Sequence, residues 1–342
     1  MHPISDKLID WYKVNKRDLP WRNINDPYKI WLSEIILQQT QVIQGLNYYL
    51  KFVESFPTVT DLANASEDLV MRLWQGLGYY SRARNLHSAA KYIQNSHKGI
   101  FPKTYDEIKE LKGVGDYTAA AVSSFAFKLP YAVVDGNVYR VLSRLFNVST
   151  PINSTQGKKE FQLIANEIIN AKKPDLHNSA IMEFGALFCK PQKPNCNECP
   201  LQVNCLAFQN KTVQLLPVKI NKTKIKSRFF NYIVFNYKGY VYLSKRTEKD
   251  IWQNLYEFFL IESSEMINED EVLSNEELKK LNTNFVLKNK TSLPKHILSH
   301  QHLFATFYEL ELESPIKLKG FIKIKRIELI NYGLPQLIIK YL

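Results

Sequence analysis

"CKPQKPNCNECPLQVNC", residues 189 to 205, holds every cysteine of a 342-residue chain: Cys189, Cys196, Cys199 and Cys205. The spacing is C-x6-C-x2-C-x5-C. A zinc ribbon ordinarily carries two C-x2-C knuckles separated by a longer loop. Here one knuckle stands between two lone cysteines. Four thiolates gathered by one loop suit a 4Fe–4S cluster, whose cubane offers one iron corner to each. On spacing alone iron–sulfur leads and zinc stays open. A disulfide framework fits poorly: the opening "MHPISDKLIDWYKVNKRDLPW" is charged throughout and lacks the apolar centre of a secretion signal. The expected compartment is therefore the cytoplasm, where thiols stay reduced.

At 342 residues the chain exceeds the usual size of one hydrophobic core, so two domains are expected. No run approaches the roughly 18 apolar residues of a membrane helix, and no membrane association is expected. The formal net charge is +12, and half of it sits in "KTVQLLPVKINKTKIKSR" (211–228), which has six Lys and Arg and no acidic residue. A basic chain suits a polyanionic partner such as nucleic acid. Plain solubility is the competing reading.

Working outward from the cysteines, residues 1–205 read as helical. "FQLIANEIINA" places apolar residues at 161, 164, 165, 168 and 169, the stripe of an amphipathic helix. "SEDLVMRLWQGLG" ends in Gly76 and Gly78, a helix stop. By contrast, "FFNYIVFNYKGYVYL" (229–243) flanks Lys238-Gly239 with aromatic and β-branched runs, a hairpin signal, and "HLFATFYELEL" (302–312) is a second β-rich run. The change of pattern falls on the basic stretch. A helical domain is thus expected over 1–210, a linker over 211–228 and a β-containing domain over 229–342.

"LKGVGDYTAAAV" (111–122) contains L-x-G-V-G before a small-residue helix. Gly113 and Gly115 permit a tight turn whose N–H groups can approach a phosphate, helped by the helix start that follows. Alone, such a turn is usually a connector. Twenty residues after Gly115 comes Asp135 in "AVVDGNV". By itself this aspartate reads as a helix cap. Hairpin, aspartate and cysteine loop, in this order, resemble the helix–hairpin–helix DNA glycosylases, the superfamily of endonuclease III and the MutY-type adenine glycosylases. The likeness covers nearly all of residues 15–205. It implies an all-α helix–hairpin–helix domain with a 4Fe–4S cluster held by the four cysteines. The cluster would stiffen a loop whose Lys190 and Lys193 meet DNA phosphates. Asp135 would stabilise the sugar cation left when an N-glycosidic bond breaks, with Asn137 positioning it.

Within that superfamily, the residue at Tyr117 in "GVGDYTAA" is a lysine in endonuclease III-like enzymes, where its amine forms a Schiff base with the sugar. A tyrosine has no such amine, which implies a monofunctional glycosylase. "WLSEIILQQTQV" (31–42) matches the MutY-type motif S-E-x-x-L-Q-Q-T-x-V. Its Glu34 lies among apolar residues that would raise its pKa and let it hold a proton near neutrality. The plain alternative is a surface glutamate paired with Lys29. The resemblance makes Glu34 the acid that protonates adenine, with Tyr117 orienting Asp135 by a hydrogen bond. It places Trp21, Arg22 and Glu183 at the adenine pocket, Glu183 reading the exocyclic amine. Gln39, Thr40 and Tyr79 would enter the base stack while adenine is flipped out. Trp74 reads as an ordinary core aromatic.

Residues 229–342 resemble the C-terminal Nudix-like domain of the same enzymes through "LSKRTEKDIWQNLYEF" and "YGLPQLIIKYL". The metal box of nucleotide hydrolases, G-x5-E-x7-R-E-x2-E-E, is missing from it, so nucleotide hydrolysis is not expected. The family's F-S-H loop, which reads 8-oxoguanine, corresponds to Leu298-Ser299-His300, with leucine in place of the aromatic. Together these likenesses imply a multi-domain protein, an all-α glycosylase domain followed by an α/β Nudix-like domain. Its partner would be double-stranded DNA holding A·8-oxoguanine or A·G mispairs. It is expected to be a cytoplasmic monomer, lying on the nucleoid if bacterial. An endonuclease III-type lyase for oxidised pyrimidines and a non-catalytic metal-stabilised DNA-binding protein are the rival readings.

Overall fold

The computed structural model describes residues 2–220, 225–281 and 283–342. Residues 221–224 of the basic stretch lie outside the described residues. Contacts divide the chain into two units: Met1–Ala63 with Ser88–Asn221, and Asn64–His87 with Lys222–Leu342.

The first unit holds α1 (Pro3–Asn15), α2 (Pro27–Leu37), α3 (Val42–Ser55) and nearly all of α4 (Val59–Asn64). α5 (Glu67–Leu73) belongs to the second unit, and the division at 87/88 falls inside α6 (Ser81–His97). α7 (Tyr105–Glu110), α8 (Asp116–Phe127), α9 (Gly136–Leu145), α10 (Thr155–Ile168) and α11 (Pro174–Leu187) complete the helices ahead of the cysteine loop. α10 forms where the apolar stripe predicts it and buries Phe161, Ala165 and Ile168. It joins α1, α9 and α11 around Leu8, Val138, Leu142, Ile181 and Phe184. Among the described residues no helix is long and apolar enough to cross a membrane.

Local signals set the ends of the helices that carry the site. Asp26 caps α2, its Oδ1 accepting from the N–H groups of Tyr28 and Lys29, with Pro27 in the first turn. From Tyr28 to Ile36 this helix is buried on nearly every face. α8 presents Ala119, Ala120, Ala121 and Val122 to the interior. These small side chains let α2 pack close against it. Between α7 and α8, Gly113 takes φ +84°, a conformation that suits glycine, whereas Gly115 is extended and its Cβ position faces open space.

The second unit is built on a mixed sheet. Its strands are β1 (Lys226–Tyr237), β2 (Tyr240–Lys245), β3 (Tyr256–Glu257), β4 (Phe259–Ser263), β5 (Phe285–Ser292), β6 (His296–Ile297), β7 (Gln301–Leu312) and β8 (Phe321–Lys325). β1 runs parallel to β7 and antiparallel to β2 and β4. The predicted hairpin at Lys238-Gly239 is present, with φ of 49° and 79° giving the turn the twist that paired strands favour. Arg228, the last cation of the basic stretch, lies in β1 and is buried between the carboxylates of Asp250 and Glu262, two bonds to each at 2.7–2.9 Å. That charge is neutralised inside the fold.

Where α11 crosses α9, Gly185 meets Asn137 so closely that a Cβ would sit 2.9 Å from the Asn137 carbonyl oxygen. Backbone would have to move to admit even a methyl. Gly185→Ala is therefore expected to destabilise the protein by about 1–3 kcal/mol, read as a lower urea midpoint. An unchanged midpoint would mean that α9 and α11 are free to separate.

Candidate active site

A cavity of about 560 Å³ in the first unit is walled by the end of α2, the start of α8, the start of α9 and one face of α11. Glu34, Tyr117, Asp135 and Asn137 line it together with Trp21, Arg22, Gln39, Thr40 and Glu183. Glu34 projects from a helix buried almost all round, so its carboxylate has this pocket to face and little water. Asp135 is the N-cap of α9, its Oδ1 accepting from the N–H groups of Asn137 (2.9 Å) and Val138 (2.8 Å). Its other oxygen accepts from Asn137 Nδ2 at 3.0 Å. The plain reading of Asp135 as a cap is thus correct, and the cap also faces the cavity.

One expected bond runs elsewhere. The Tyr117 hydroxyl donates to Glu34 Oε2 at 2.8 Å rather than to Asp135. Asp135 already has three donors from its own helix start, and Glu34 has few alternatives in its apolar surroundings. Nor does Glu34 pair with Lys29, which bonds Asp26 instead. Burial is the largest force on both acids and raises both carboxyl pKa values. For Glu34 the Tyr117 hydroxyl and Arg22 oppose the rise, while the charge of Asp135 adds to it. For Asp135 the opposition comes from Val138, Asn137 and Arg140. With three hydrogen bonds against one, Asp135 is the better placed to keep a negative charge and Glu34 to keep a proton.

Around these acids the other candidates fall into two groups. Trp21 is buried edge-on against Tyr49, and Arg22 donates to Ser179 Oγ at 2.7 Å. Glu183 is gripped by Arg17, Nε to Oε1 at 2.6 Å and Nη2 to Oε2 at 2.8 Å. Burial alone would raise the Glu183 carboxyl, but Arg17 holds it below the usual range. Sequence reasoning passed over Arg17, and a cation in "NKRDLPW" gives no hint of a partner 166 residues away. Gln39 takes φ +55° where the chain leaves α2. Tyr79, Ser299 and His300 lie in the second unit, where the hydroxyls of Tyr79 and Ser299 are hydrogen-bonded to each other. Trp74 is fully buried, a core aromatic as read.

All four cysteines are free and line a cavity with Arg144, Phe184 and Phe188. Burial, with repulsion from neighbouring sulfurs, pushes up the thiols of Cys196 and Cys205 and takes Cys199 to about 11. No three His, Cys, Asp or Glu side chains among the described residues close tightly enough to hold a single metal ion. Lys190 and Lys193 are exposed on this loop. Two arginines that the sequence reading missed hold it. Arg144 is buried, donating to Cys189 Sγ (3.4 Å), Lys190 O (2.7 Å), Pro191 O (2.9 Å) and Val213 O (3.0 Å). Arg140 donates to Cys189 O at 2.7 Å and to Asn137 Oδ1 at 2.9 Å. The available signal was two arginines, i and i+4, inside the apolar stripe of "NVYRVLSRLF", where a solvated charge has no place.

A helical unit with a two-helix hairpin, a capping aspartate at a cavity and a cysteine loop, followed by a mixed-sheet domain, is the architecture of a base-excision DNA glycosylase with a Nudix module. Residues 32–169 match the HhH-GPD superfamily of base excision DNA repair proteins, and residues 231–342 match the NUDIX domain. The chain is 36% identical to an adenine DNA glycosylase of Buchnera aphidicola subsp. Baizongia pistaciae, over 87% of this chain and 83% of that one. It is 41% identical to the human adenine DNA glycosylase over 59% of this chain and 39% of that one. Among solved structures, a thermostable thymine-DNA glycosylase superposes with a TM-score of 0.57 at 29% identity, covering 60% of this chain and 95% of that chain. A trapped endonuclease III–DNA intermediate shares the fold at a TM-score of 0.53 and 24% identity, over 60% of this chain and 94% of that chain. The chain belongs to the adenine DNA glycosylase family, hydrolases of N-glycosyl bonds that act in base excision repair of adenine.

Because Asp135 both caps and faces the pocket, stability and chemistry separate by substitution. Asparagine caps as well as aspartate, so Asp135→Asn is expected to unfold within about 0.5 kcal/mol of wild type, and Asp135→Ala about 1 kcal/mol lower. Urea unfolding followed by circular dichroism checks both. Equal loss in the two variants would show that the cap adds nothing.

Proposed function

We propose that this glycosylase removes adenine mispaired with 8-oxoguanine or guanine in duplex DNA, by monofunctional hydrolysis. The adenine nucleotide is flipped into the pocket of Glu34 and Asp135. Protonated Glu34 delivers its proton to the adenine ring, turning a poor leaving group into a good one. The electrons of the C1′–N bond leave with adenine, and the sugar cation is held by the Asp135 carboxylate, which Asn137 orients. Water adds its oxygen to the sugar carbon, its released proton restores Glu34, and the backbone stays intact. Tyr117 carries no amine for a Schiff base, so strand cleavage is not part of this cycle. What carries the reading is the convergence of Glu34, Tyr117, Asp135 and Asn137 on one cavity, where burial raises the Glu34 carboxyl pKa.

In this reading Trp21, Arg22 and Glu183 frame the base, and the Arg17 clamp keeps Glu183 ionised to accept from the exocyclic amine. Gln39, Thr40 and Tyr79 occupy the stack. Gly113 and Gly115 meet the strand's phosphates. Cys189, Cys196, Cys199 and Cys205 would hold a 4Fe–4S cluster: four half-buried cysteines lining one cavity fit a group with one corner per thiolate. Such a cluster supplies no step of the excision and keeps Lys190 and Lys193 presented to DNA. Ser299 and His300 of the Nudix-like domain, residues 229–342, read the opposite base, and 211–228 tether it to the glycosylase domain, 1–210. The protein works as a monomer in the cytoplasm, on the nucleoid in a bacterium.

Incubation with an A·8-oxoguanine duplex followed by hot alkali is expected to break the adenine strand. Glu34→Gln and Asp135→Asn are each expected to lower single-turnover excision by at least about 100-fold while duplex binding persists. Near wild-type excision by either variant would defeat the roles given, and borohydride trapping of a covalent DNA complex in high yield would favour the lyase reading.

The pH dependence has a definite sign. Excision needs Glu34 protonated, so the rate falls as pH rises through its raised pKa. The Tyr117 hydroxyl pulls that pKa down. Tyr117→Phe is therefore expected to move the alkaline limb of the single-turnover profile to higher pH. A shift to lower pH would contradict the bond's assignment.

A further inference from the structure

The segment Asn64–His87 falls inside the stretch that matches the glycosylase superfamily, yet its contacts group it with the sheet unit. Specific bonds accompany this grouping. Asp68, in the first turn of α5, accepts from Lys245 Nζ at 2.6 Å and from the Tyr256 hydroxyl at 3.3 Å. Glu67 beside it accepts from Asn254 Nδ2. Arg84 donates to the Gln253 carbonyl at 2.8 Å, and Gln75 Oε1 accepts from the Leu334 N–H at 3.0 Å. Gly333 fits beneath α5, where a Cβ would come 3.5 Å from the Arg72 nitrogen. Four of the partners come from one β2–β3 stretch, residues 245–256.

Between α5 and α6 the same segment carries Tyr79 on a constrained turn. Gly78 and Tyr79 both take positive φ, +79° and +46°, an unusual conformation for a bulky side chain that its surroundings must hold in place. The Trp74 Nε1 and Arg82 Nη2 groups both donate to the Gly78 carbonyl, at 3.0 and 3.3 Å. The guanidinium of Arg82 lies over the rings of Trp74 and Tyr79. Tyr79 remains 44% exposed, with its hydroxyl on Ser299.

We propose that residues 64–87 of the glycosylase domain act as an arm held on the Nudix-like sheet, and that Glu67, Asp68, Lys245 and Asn254 form a clasp that couples reading of the opposite base to excision. The clasp fixes α5, α5 fixes the Tyr79 turn, and Tyr79 is thereby kept in register with Ser299. The turn leads directly into α6. These are positioning residues, touching neither base. Each bond is partly exposed and individually weak, so the clasp sets geometry more than stability. The inference rests on the assignment of Ser299 to the opposite base.

Lys245→Met with Asn254→Gly opens the clasp from the sheet side, glycine suiting the +68° φ of Asn254. Glu67→Gln with Asp68→Asn opens it from the helix side. Single-turnover excision is measured on A·8-oxoguanine and A·G duplexes at saturating enzyme. Each pair is expected to leave the A·G rate within about twofold and to cut the preference for 8-oxoguanine about tenfold, with the combined variant no worse than either, as for groups acting as one unit. A wild-type preference that survives both pairs, or equal loss on both duplexes, overturns the clasp alone. A wild type with no preference between the duplexes overturns the reading of Ser299 and the clasp together.

Discussion

Removing two carboxylates from water in one cavity is the constraint on which the rest of this protein turns. Glu34 sits on a helix buried nearly all round, and Asp135 starts a helix that is itself packed on one face. Ionising both at once in that setting is opposed by burial and by their mutual charge. The pocket therefore favours a proton on one of the two acids, and their hydrogen bonds bear on which. Asp135 has its own helix start as a set of fixed donors, which stabilise its anion and nothing else. Glu34 has one phenol. In the proposed function this asymmetry makes one acid the donor and the other the counter-charge, the division of labour that breaking a bond to a poor leaving group requires.

The neighbouring architecture keeps that asymmetry in place. α9 begins at Asp135 and carries Arg140 and Arg144 on its buried side. Through Arg140 the carbonyl of Cys189 is joined to Asn137, and through Asn137 to Asp135. Buried arginines are costly unless every donor finds an acceptor, and here the acceptors are carbonyls at both flanks of the cysteine loop. The loop that presents Lys190 and Lys193 and the aspartate that faces the cavity thus hang on one helix. The tight crossing at Gly185 keeps α11, and with it Glu183, against that same helix.

Much of this was legible in the residues themselves because the signals were local. Four cysteines in one window, the glycine turn before a small-residue helix, the amphipathic stripe of 161–169 and the Lys238-Gly239 hairpin each depend on near neighbours in the chain. What escaped was the direction of side chains across long separations. Tyr117 could be placed at the site by its position in the hairpin, but whether its hydroxyl met Glu34 or Asp135 depended on which acid had spare acceptor capacity. The Arg17–Glu183 clamp spans 166 residues and leaves no periodic trace. The grouping of 64–87 with the sheet was equally hidden, since Asp68 and Lys245 look like ordinary surface charges until they are paired.

The central claim is that a proton resides on Glu34 while Asp135 stays ionised. Infrared difference spectra of the carboxyl stretch, taken across neutral pH for wild type, Glu34→Gln and Asp135→Asn, test it most directly. A protonated-carboxyl band that persists above the ordinary carboxylate range in wild type and in Asp135→Asn, and vanishes in Glu34→Gln, is the predicted result. A band that survives in Glu34→Gln and disappears in Asp135→Asn would place the proton on the wrong acid and contradict the account.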